Sequence, residues 1–346
     1  MRRLAQRIGW SVFVVWAVVS IAFGVEMLLP GDPARLVAGI QARPADVARV
    51  REQLGIDRPA IEQYERFWAR LVHVGPRAID RSGDGAHATC AVLVALGRSR
   101  AIHLDFGKSF QMRQPVIGVI AVRFPRTLAL AAAAMAIQLL LGVGTGVLAA
   151  LRRDSWLDRL LVGTTLLGIS APTFLIALAL QVVFAQKLRW LPLDGFGIGW
   201  GEHARCLVLP ALTLGIFGAA YYTRLVRDEM IVLLQRDWVR TARAKGLPEW
   251  RTVLRHALRN ALVPLVTAVG LDFGALMGGA IVTETVFRWP GLGELSVKAM
   301  LNRDGPVIEA CVVVASIATV GCNVIVDLVY ALLDPRVSAP RGGGTH

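Results

Sequence analysis

Six apolar runs, at residues 10–29, 127–150, 160–184, 206–223, 263–282 and 307–333, constrain the folding of this chain more than any other feature. A helix crossing a bilayer needs about 20 predominantly apolar residues, with a range of about 17–25. Inside hydrocarbon every backbone N–H and C=O must find its partner within the chain, so runs of this length become helices. Composition agrees: AVILMFWYC residues make up 55% of the 346 and charged residues only 18%, against about 25% charged in soluble domains. A soluble enzyme and a disordered chain are both excluded. The first run follows Arg2, Arg3 and Arg7; it exceeds a signal-peptide core and no A-x-A cleavage site follows, which predicts an uncleaved anchor.

Charge sorts the loops between these runs, because short cytoplasmic loops carry excess Lys and Arg. With the N-terminus inside, the inner segments are the Arg2/Arg3/Arg7 tip, the loop with Arg152, Arg153 and Arg159, segment 224–262, and the tail with Arg336 and Arg341. Segment 224–262 holds nine basic residues against four acids, whereas 185–205 and 283–306 are far less biased. Six spans with both termini cytoplasmic is self-consistent. The ten-residue run 88–97 is too short to span and reads as a buried or interfacial helix turn. Counting it as a span would put the most basic segment outside.

The long segment 30–114 is predicted to be a small folded outer subdomain. Val47, Val50 and Leu54 fall on one helical stripe with Gly55 placed to end it, and Ile61, Tyr64, Trp68 and Leu71 form a second stripe after Pro59. The net charge of +13 comes almost wholly from arginine. No basic run is interleaved with stacking aromatics, so a nucleic-acid groove is not expected.

Within the spans, Gly270, Gly274 and Gly278 recur every four residues and Gly142 and Gly146 repeat the pattern; such faces let helices approach closely or line a substrate path. Glu26, Asp272, Glu284, Glu309 and Asp327 lie in or near the membrane, where an unpaired charge is costly. Glu26, Glu284 and Glu309 are expected to reach water at an interface. Asp272 is the most central, either facing a polar cavity or paired as a structural acid, and with Glu284 it is the candidate lining of a translocation path. Pro172 and Pro210 are expected to kink their spans. Cys90, Cys206, Cys311 and Cys322 form no C-x-x-C pair and no metal-ligand spacing, so no metal site is expected. No phosphate loop, H-E-x-x-H or G-x-S-x-G occurs, and no catalytic residue is predicted.

Segment 224–262 carries the most information. Asp237 to Lys245 reads as a short basic helix stopped by Gly246, with Pro248 beyond it and a restart through Val253, Leu254, Ala257, Leu258 and Leu262. Such a helix–glycine–helix hairpin suits either docking into another protein's groove or a merely solvated loop.

The stretch Asp237-Trp-Val-Arg-Thr-Ala-Arg-Ala-Lys-Gly246-Leu, with Arg255-His-Ala-Leu-Arg-Asn260-Ala-Leu-Val-Pro264, resembles the coupling loop of permease subunits in peptide-importing ABC transporters. Ala242, Gly246 and Leu258 match that loop; Arg240 and Thr241 replace its Glu and first Ala, and Arg259 stands at its Pro, as in the dipeptide/oligopeptide/nickel branch. Leu29-Pro-Gly-Asp-Pro33, Arg51 to Pro59, Asp105-Phe-Gly-Lys-Ser109, Trp190-Leu-Pro192, Gly279 to Phe287, Pro290-Gly-Leu-Gly293 and Asn323 to Arg336 resemble that family's other segments in order. About thirty extra residues after Trp68 depart from it and leave an insertion near 73–103, open between an accessory loop and partial disorder.

The resemblance implies an all-α integral membrane protein with the six-helix type I ABC importer permease fold. Its parts would be an N-terminal helix (1–29), an extracytoplasmic subdomain (30–114), a five-helix core (115–336) containing the coupling loop, and a tail (337–346). It implies the bacterial cytoplasmic (inner) membrane and four kinds of partner: a second homologous permease, two cytoplasmic ABC ATPase subunits, an extracytoplasmic peptide-binding protein and the lipid bilayer. ATP and Mg would be bound by the ATPases and no cofactor by this chain. Asp237, Arg240, Thr241, Ala242, Arg243, Ala244, Lys245 and Gly246 would form the coupling helix. Import of nickel or another small solute is the nearest alternative. An ion-coupled secondary carrier would normally show a repeat of hydrophobic segments, and none is visible; a membrane-anchored receptor leaves the glycine-faced spans without a purpose.

Overall fold

A computed structural model of the chain describes residues 2–28, 32–39, 41–76, 89–96 and 100–333. Residues 77–88 and 97–99 of the insertion near 73–103, the arginines Arg336 and Arg341 and the tail 337–346 lie outside the described residues. In chain order the elements are α1 (Arg2–Leu28), α2 (Pro33–Ala38), α3 (Pro44–Leu54), α4 (Ala60–Leu71), β1 (Val72–Pro76), β2 (Cys90–Leu96), β3 (Arg100–Asp105) and α5 (Val116–Leu151). Then come α6 (Trp156–Ser170), α7 (Thr173–Leu180), a π-helical turn (Gln181–Lys187), α8 (Trp200–Leu234), α9 (Asp237–Ala244) and α10 (Glu249–Arg251). A second π-helical turn (Thr252–Leu258), α11 (Arg259–Gly279), α12 (Ile281–Val286), α13 (Leu292–Asn302) and α14 (Gly305–Leu333) complete the order.

By length and composition, Val116–Leu151, Trp200–Leu234 and Gly305–Val326 can each cross a membrane. A fourth candidate is the pair Glu249–Leu262 and Pro264–Met277, bent by 53°. Gly9–Val25 and Thr173–Lys187 are apolar but shorter. The predicted run 160–184 is therefore broken: α6 stops at Ser170, Pro172 is extended with φ −56° and ψ 138°, and a new helix starts at Thr173. Proline has no N–H to continue the helical ladder and its ring clashes with the preceding turn. Pro210, also expected to kink its span, lies within α8, which continues through it.

The chain divides into two compact units, Met1–Arg126 with Gly291–Ile317, and Thr127–Pro290 with Ala318–His346. In the first, local sequence sets the helix ends. Asp32 Oδ1 accepts the Ala34 N–H at 3.0 Å and Pro33 opens α2. Pro44 opens α3, and Gly55 ends it at φ +70° as predicted, with Gly55 and Ile56 N–H returning to Glu52 and Arg51 carbonyls. No residue of α3 is buried. Helix α4 buries Phe67 and Leu71 and packs Trp68 against the core, while Ile61 is 69% exposed, so the predicted stripe faces the core except at Ile61. Phe67 and Leu71 join Val19, Phe106, Val116 and Leu292 in this unit's core. The buried Asp304 carboxylate accepts Phe110 N–H at 3.0 Å, Gln111 N–H at 3.3 Å and the Ser109 hydroxyl, fixing the loop ahead of α5.

The all-helical expectation is corrected here. Strands β1, β2 and β3 form an antiparallel sheet in the order β1-β3-β2, pairing Val72 with Leu104 and Cys90 with Asp105. Run 88–97, read as a helix turn, supplies β2. A short apolar run cannot be assigned by periodicity alone; the β-branched Val92 and Val94 favour a strand, and the alternating burial along β3 gives it a partner of period two.

Candidate functional site

Two places in the second unit hold the residues singled out from the sequence. The first is the hairpin after α8. Helix α9 carries one apolar edge, Val239 and Ala242, and both are buried. It packs against the turn Thr252–Leu258, whose Val253 and Ala257 are buried as well. Asp237, Trp238, Arg240, Thr241, Arg243, Ala244, Lys245 and Gly246 are exposed. Ala242 is thus the one member of the predicted coupling set that holds the helix down.

The end of α9 follows from its sequence. Leu247 N–H bonds the Ala242 carbonyl at 3.3 Å and Gly246 N–H bonds the Arg243 carbonyl at 2.9 Å, with Gly246 at φ +76°. This is a Schellman closure, which needs the left-handed conformation that glycine adopts without a Cβ penalty. Pro248, at φ −64°, then caps α10. Across the turn, Arg243 donates to both Glu249 carboxylate oxygens, at 2.6 and 3.1 Å. This contact raises the affinity of the Arg243 guanidinium for its proton, against the opposing effect of burial. Arg243, a member of the coupling set that the resemblance implies, is thus bonded within the hairpin itself. Arg240 lies 4.0 Å from Asp237 with both side chains largely in water, a pair of negligible strength. Arg240 and Lys245 therefore give the exposed face its positive charge, beside the half-exposed Trp238.

A clamp that the sequence reading missed lies between α6 and α8. Arg227 Nε and Nη2 donate to the two oxygens of Asp158 at 2.7 and 2.8 Å, and Asp154 N–H adds a third bond at 2.9 Å. The Arg227 bonds hold the Asp158 carboxyl below the usual carboxylate range although burial opposes them.

The second place is the helix-packing region. A Cβ added at Gly142 would lie 2.4 Å from Tyr222 Cβ, and one at Gly146 would lie 2.8 Å from the Thr223 carbonyl oxygen. Helices α5 and α8 therefore meet backbone to backbone, with Thr145 and Thr223 hydroxyls bonded at 2.7 Å. On α11 a Cβ at Gly270 would overlap Val326 of α14 at 1.7 Å and one at Gly274 would touch Thr319 at 3.3 Å; Gly278 lies in the last turns of the same helix. Asp272, half-buried, accepts from the fully buried Tyr222 hydroxyl at 3.0 Å.

Glu284, expected within reach of water, is fully buried and accepts from Thr127 Oγ1 at 2.8 Å. Glu309 is likewise buried, with Arg70 at 3.4 Å. The partners of both acids are distant in sequence, Thr127 for Glu284 and Arg70 for Glu309. The side chains of Glu26 and Asp327 lie outside what the structure describes. Among the described residues no group of His, Cys, Asp and Glu could hold a metal ion.

Residues 142–339 match the family described as binding-protein-dependent transport system inner membrane component, and residues 1–131 match the N-terminal region of such membrane components. A putative peptide transport system permease protein of Brucella abortus is 37% identical over 340 residues, 96% of this chain and 98% of the relative. The glutathione transport system permease protein GsiC of Escherichia coli K12 is 40% identical over 323 residues, 93% and 94% of the two chains. Among solved structures, a chain of the inward-facing MetNI methionine ABC transporter superposes with a TM-score of 0.54 at 18% identity, covering 64% of this chain and 98% of that one.

Proposed function

The chain belongs to the family of inner membrane components of binding-protein-dependent transport systems, and from that premise we propose that it forms half of the translocation path of an ATP-driven importer of short peptides. It is a permease subunit of an ABC transporter, not an enzyme, and membership implies ATPase and binding-protein partners. The relatives named for peptide and glutathione transport support the substrate class. Our finer reading has six spans with both termini cytoplasmic, an outer subdomain over 30–114, a core over 115–336, a second homologous permease and two ATPase subunits. ATP and Mg belong to those ATPases.

The observation that carries this reading is the hairpin at 237–249. Helix α9 is held on its apolar edge, closed by Gly246 and tied by Arg243 to Glu249, and it presents Arg240 and Lys245 outward. Such a helix fits an acidic groove on an ATPase and transmits its movement to α8 and α11. Asp272, half-buried beside Tyr222, is the better candidate for the path; Glu284, enclosed beside Thr127, braces the bundle.

The decisive experiment is purification of the chain from membranes with its natural partners and assay of ATP hydrolysis with and without a peptide-binding protein. Co-purifying ATPases with stimulated hydrolysis are expected. A chain that purifies alone and transports without ATP overturns the proposal. In the same complex Gly246→Trp forces a side chain into left-handed backbone, and it is expected to leave assembly intact while separating hydrolysis from uptake; unaltered uptake removes 237–247 from the mechanism.

A further inference from the structure

We propose that the first unit carries a binding site for an anionic phospholipid, in a cavity of about 640 Å³ where α1, α4 and the start of α14 meet. That volume lies within the range of about 300–1,000 Å³ in which proteins hold small amphiphilic ligands. The apolar part of the lining includes Phe23 and Met27 from the last two turns of α1, Phe67 from α4 and Ile308 from α14. The charged part is Arg66, Arg70 and Arg303 against one carboxylate, Glu309.

These charges are unequally committed. Glu309 is buried and faces Arg70 at 3.4 Å. Arg66 shares Glu62, at 3.4 Å, with Arg58. Arg303 is exposed and forms no ion pair among the described residues. The cavity therefore has a cationic surplus beside an apolar wall, and that surplus calls for an anion with a hydrocarbon tail.

Position on α1 separates a lipid from a peptide as the occupant. Ile21, Val25 and Leu28 on the same turns are 66%, 52% and 84% exposed, as suits a helix whose surroundings are acyl chains. The cavity lies where that apolar surface gives way to arginines, so an acyl chain against Phe23 and Met27 would bring its head group to Arg66, Arg70 and Arg303. A zwitterionic peptide would also need a free carboxylate for its ammonium, and the one carboxylate in the lining already faces Arg70. The site is independent of the translocated substrate.

The test uses the assembled complex, stripped of lipid in detergent and titrated with short-chain phosphatidylglycerol while its thermal midpoint is followed. A saturable rise is expected with phosphatidylglycerol and not with phosphatidylcholine, and Arg66→Gln with Arg303→Gln should raise the half-saturating concentration about tenfold. Equal responses to the two lipids, an unchanged midpoint curve in the double variant, the same rise with inorganic phosphate alone, or displacement of the lipid by a short peptide would each overturn the proposal. If the double variant does not assemble, the wild-type comparison of the two lipids and phosphate decides.

Discussion

Replacing Gly142 by alanine is expected to destabilise the second unit, while the same replacement two residues along, at Gly144, is not. Both glycines lie within α5, so each substitution gains about the same helix propensity, roughly 0.5–1 kcal/mol. The difference lies in what the new methyl group meets. At Gly144 nothing lies within 4 Å; at Gly142 the Cβ would stand 2.4 Å from Tyr222 Cβ, 3.0 Å from the Ala219 carbonyl oxygen and 3.3 Å from Thr223 N. Carbon atoms rest at about 3.5–4.0 Å, so α5 and α8 must part by on the order of 1 Å. Two of the three obstructing atoms are backbone, and no rotamer change relieves them. Overpacking of this kind costs about 1–3 kcal/mol. Because the propensity gain cancels between the two variants, that cost is the expected gap between them. Parallel denaturation of the two purified variants, read by a conformational probe on α8, measures it directly. Equal stabilities would refute the claim that these helices touch at Gly142, and a Gly144→Ala variant the less stable of the two would reverse it.

Three further outcomes follow from the buried polar pairs. Asp158→Asn should cost about 1.5–3 kcal/mol at neutral pH by losing its charge-assisted bonds to Arg227. Since folding lowers the Asp158 pKa, its contribution is present above the ordinary carboxylate value of about 3.9 and fades as pH falls through the folded value. The gap between variant and wild type in thermal melts should therefore shrink below about pH 4, and a gap independent of pH would contradict this account. Tyr222→Phe, which removes the donor to Asp272, should cost about 1–3 kcal/mol. Asp272→Asn keeps an acceptor and should alter uptake with the amount of assembled complex unchanged; equal loss of complex would mark Asp272 as structural.

What the sequence revealed and what it concealed divide by the range of the interactions. Helix ends at Gly55 and Gly246 were legible because the closing residues and their hydrogen bonds lie within one turn. Three of the apolar runs were legible as helices long enough to cross a bilayer, Val116–Leu151, Trp200–Leu234 and Gly305–Val326, because the bilayer requires that length. The sheet was not, since Cys90–Leu96 is apolar and short enough for either helix or strand, and its partner β3 decides between them. The burial of Glu284 and Glu309 was illegible for the same reason, because Thr127 and Arg70 are 157 and 239 positions away. The Arg243–Glu249 bond is different: opposite charges six residues apart across a glycine turn were visible, and only the pairing went unread.

That bond has a mechanical consequence. Helix α9 has eight residues and so is about 12 Å long, and two clamps hold its C-terminal end. One clamp, the Schellman closure, is made of neutral backbone bonds and is indifferent to ionic strength. The other is an exposed ion pair, with Arg243 and Glu249 side chains 43% and 55% accessible, and mobile ions screen such pairs. Salt would therefore soften the helix's anchorage without unwinding it. In the proposed coupling role, the stroke delivered to α8 and α11 would shorten at ionic strengths that leave the bundle itself intact.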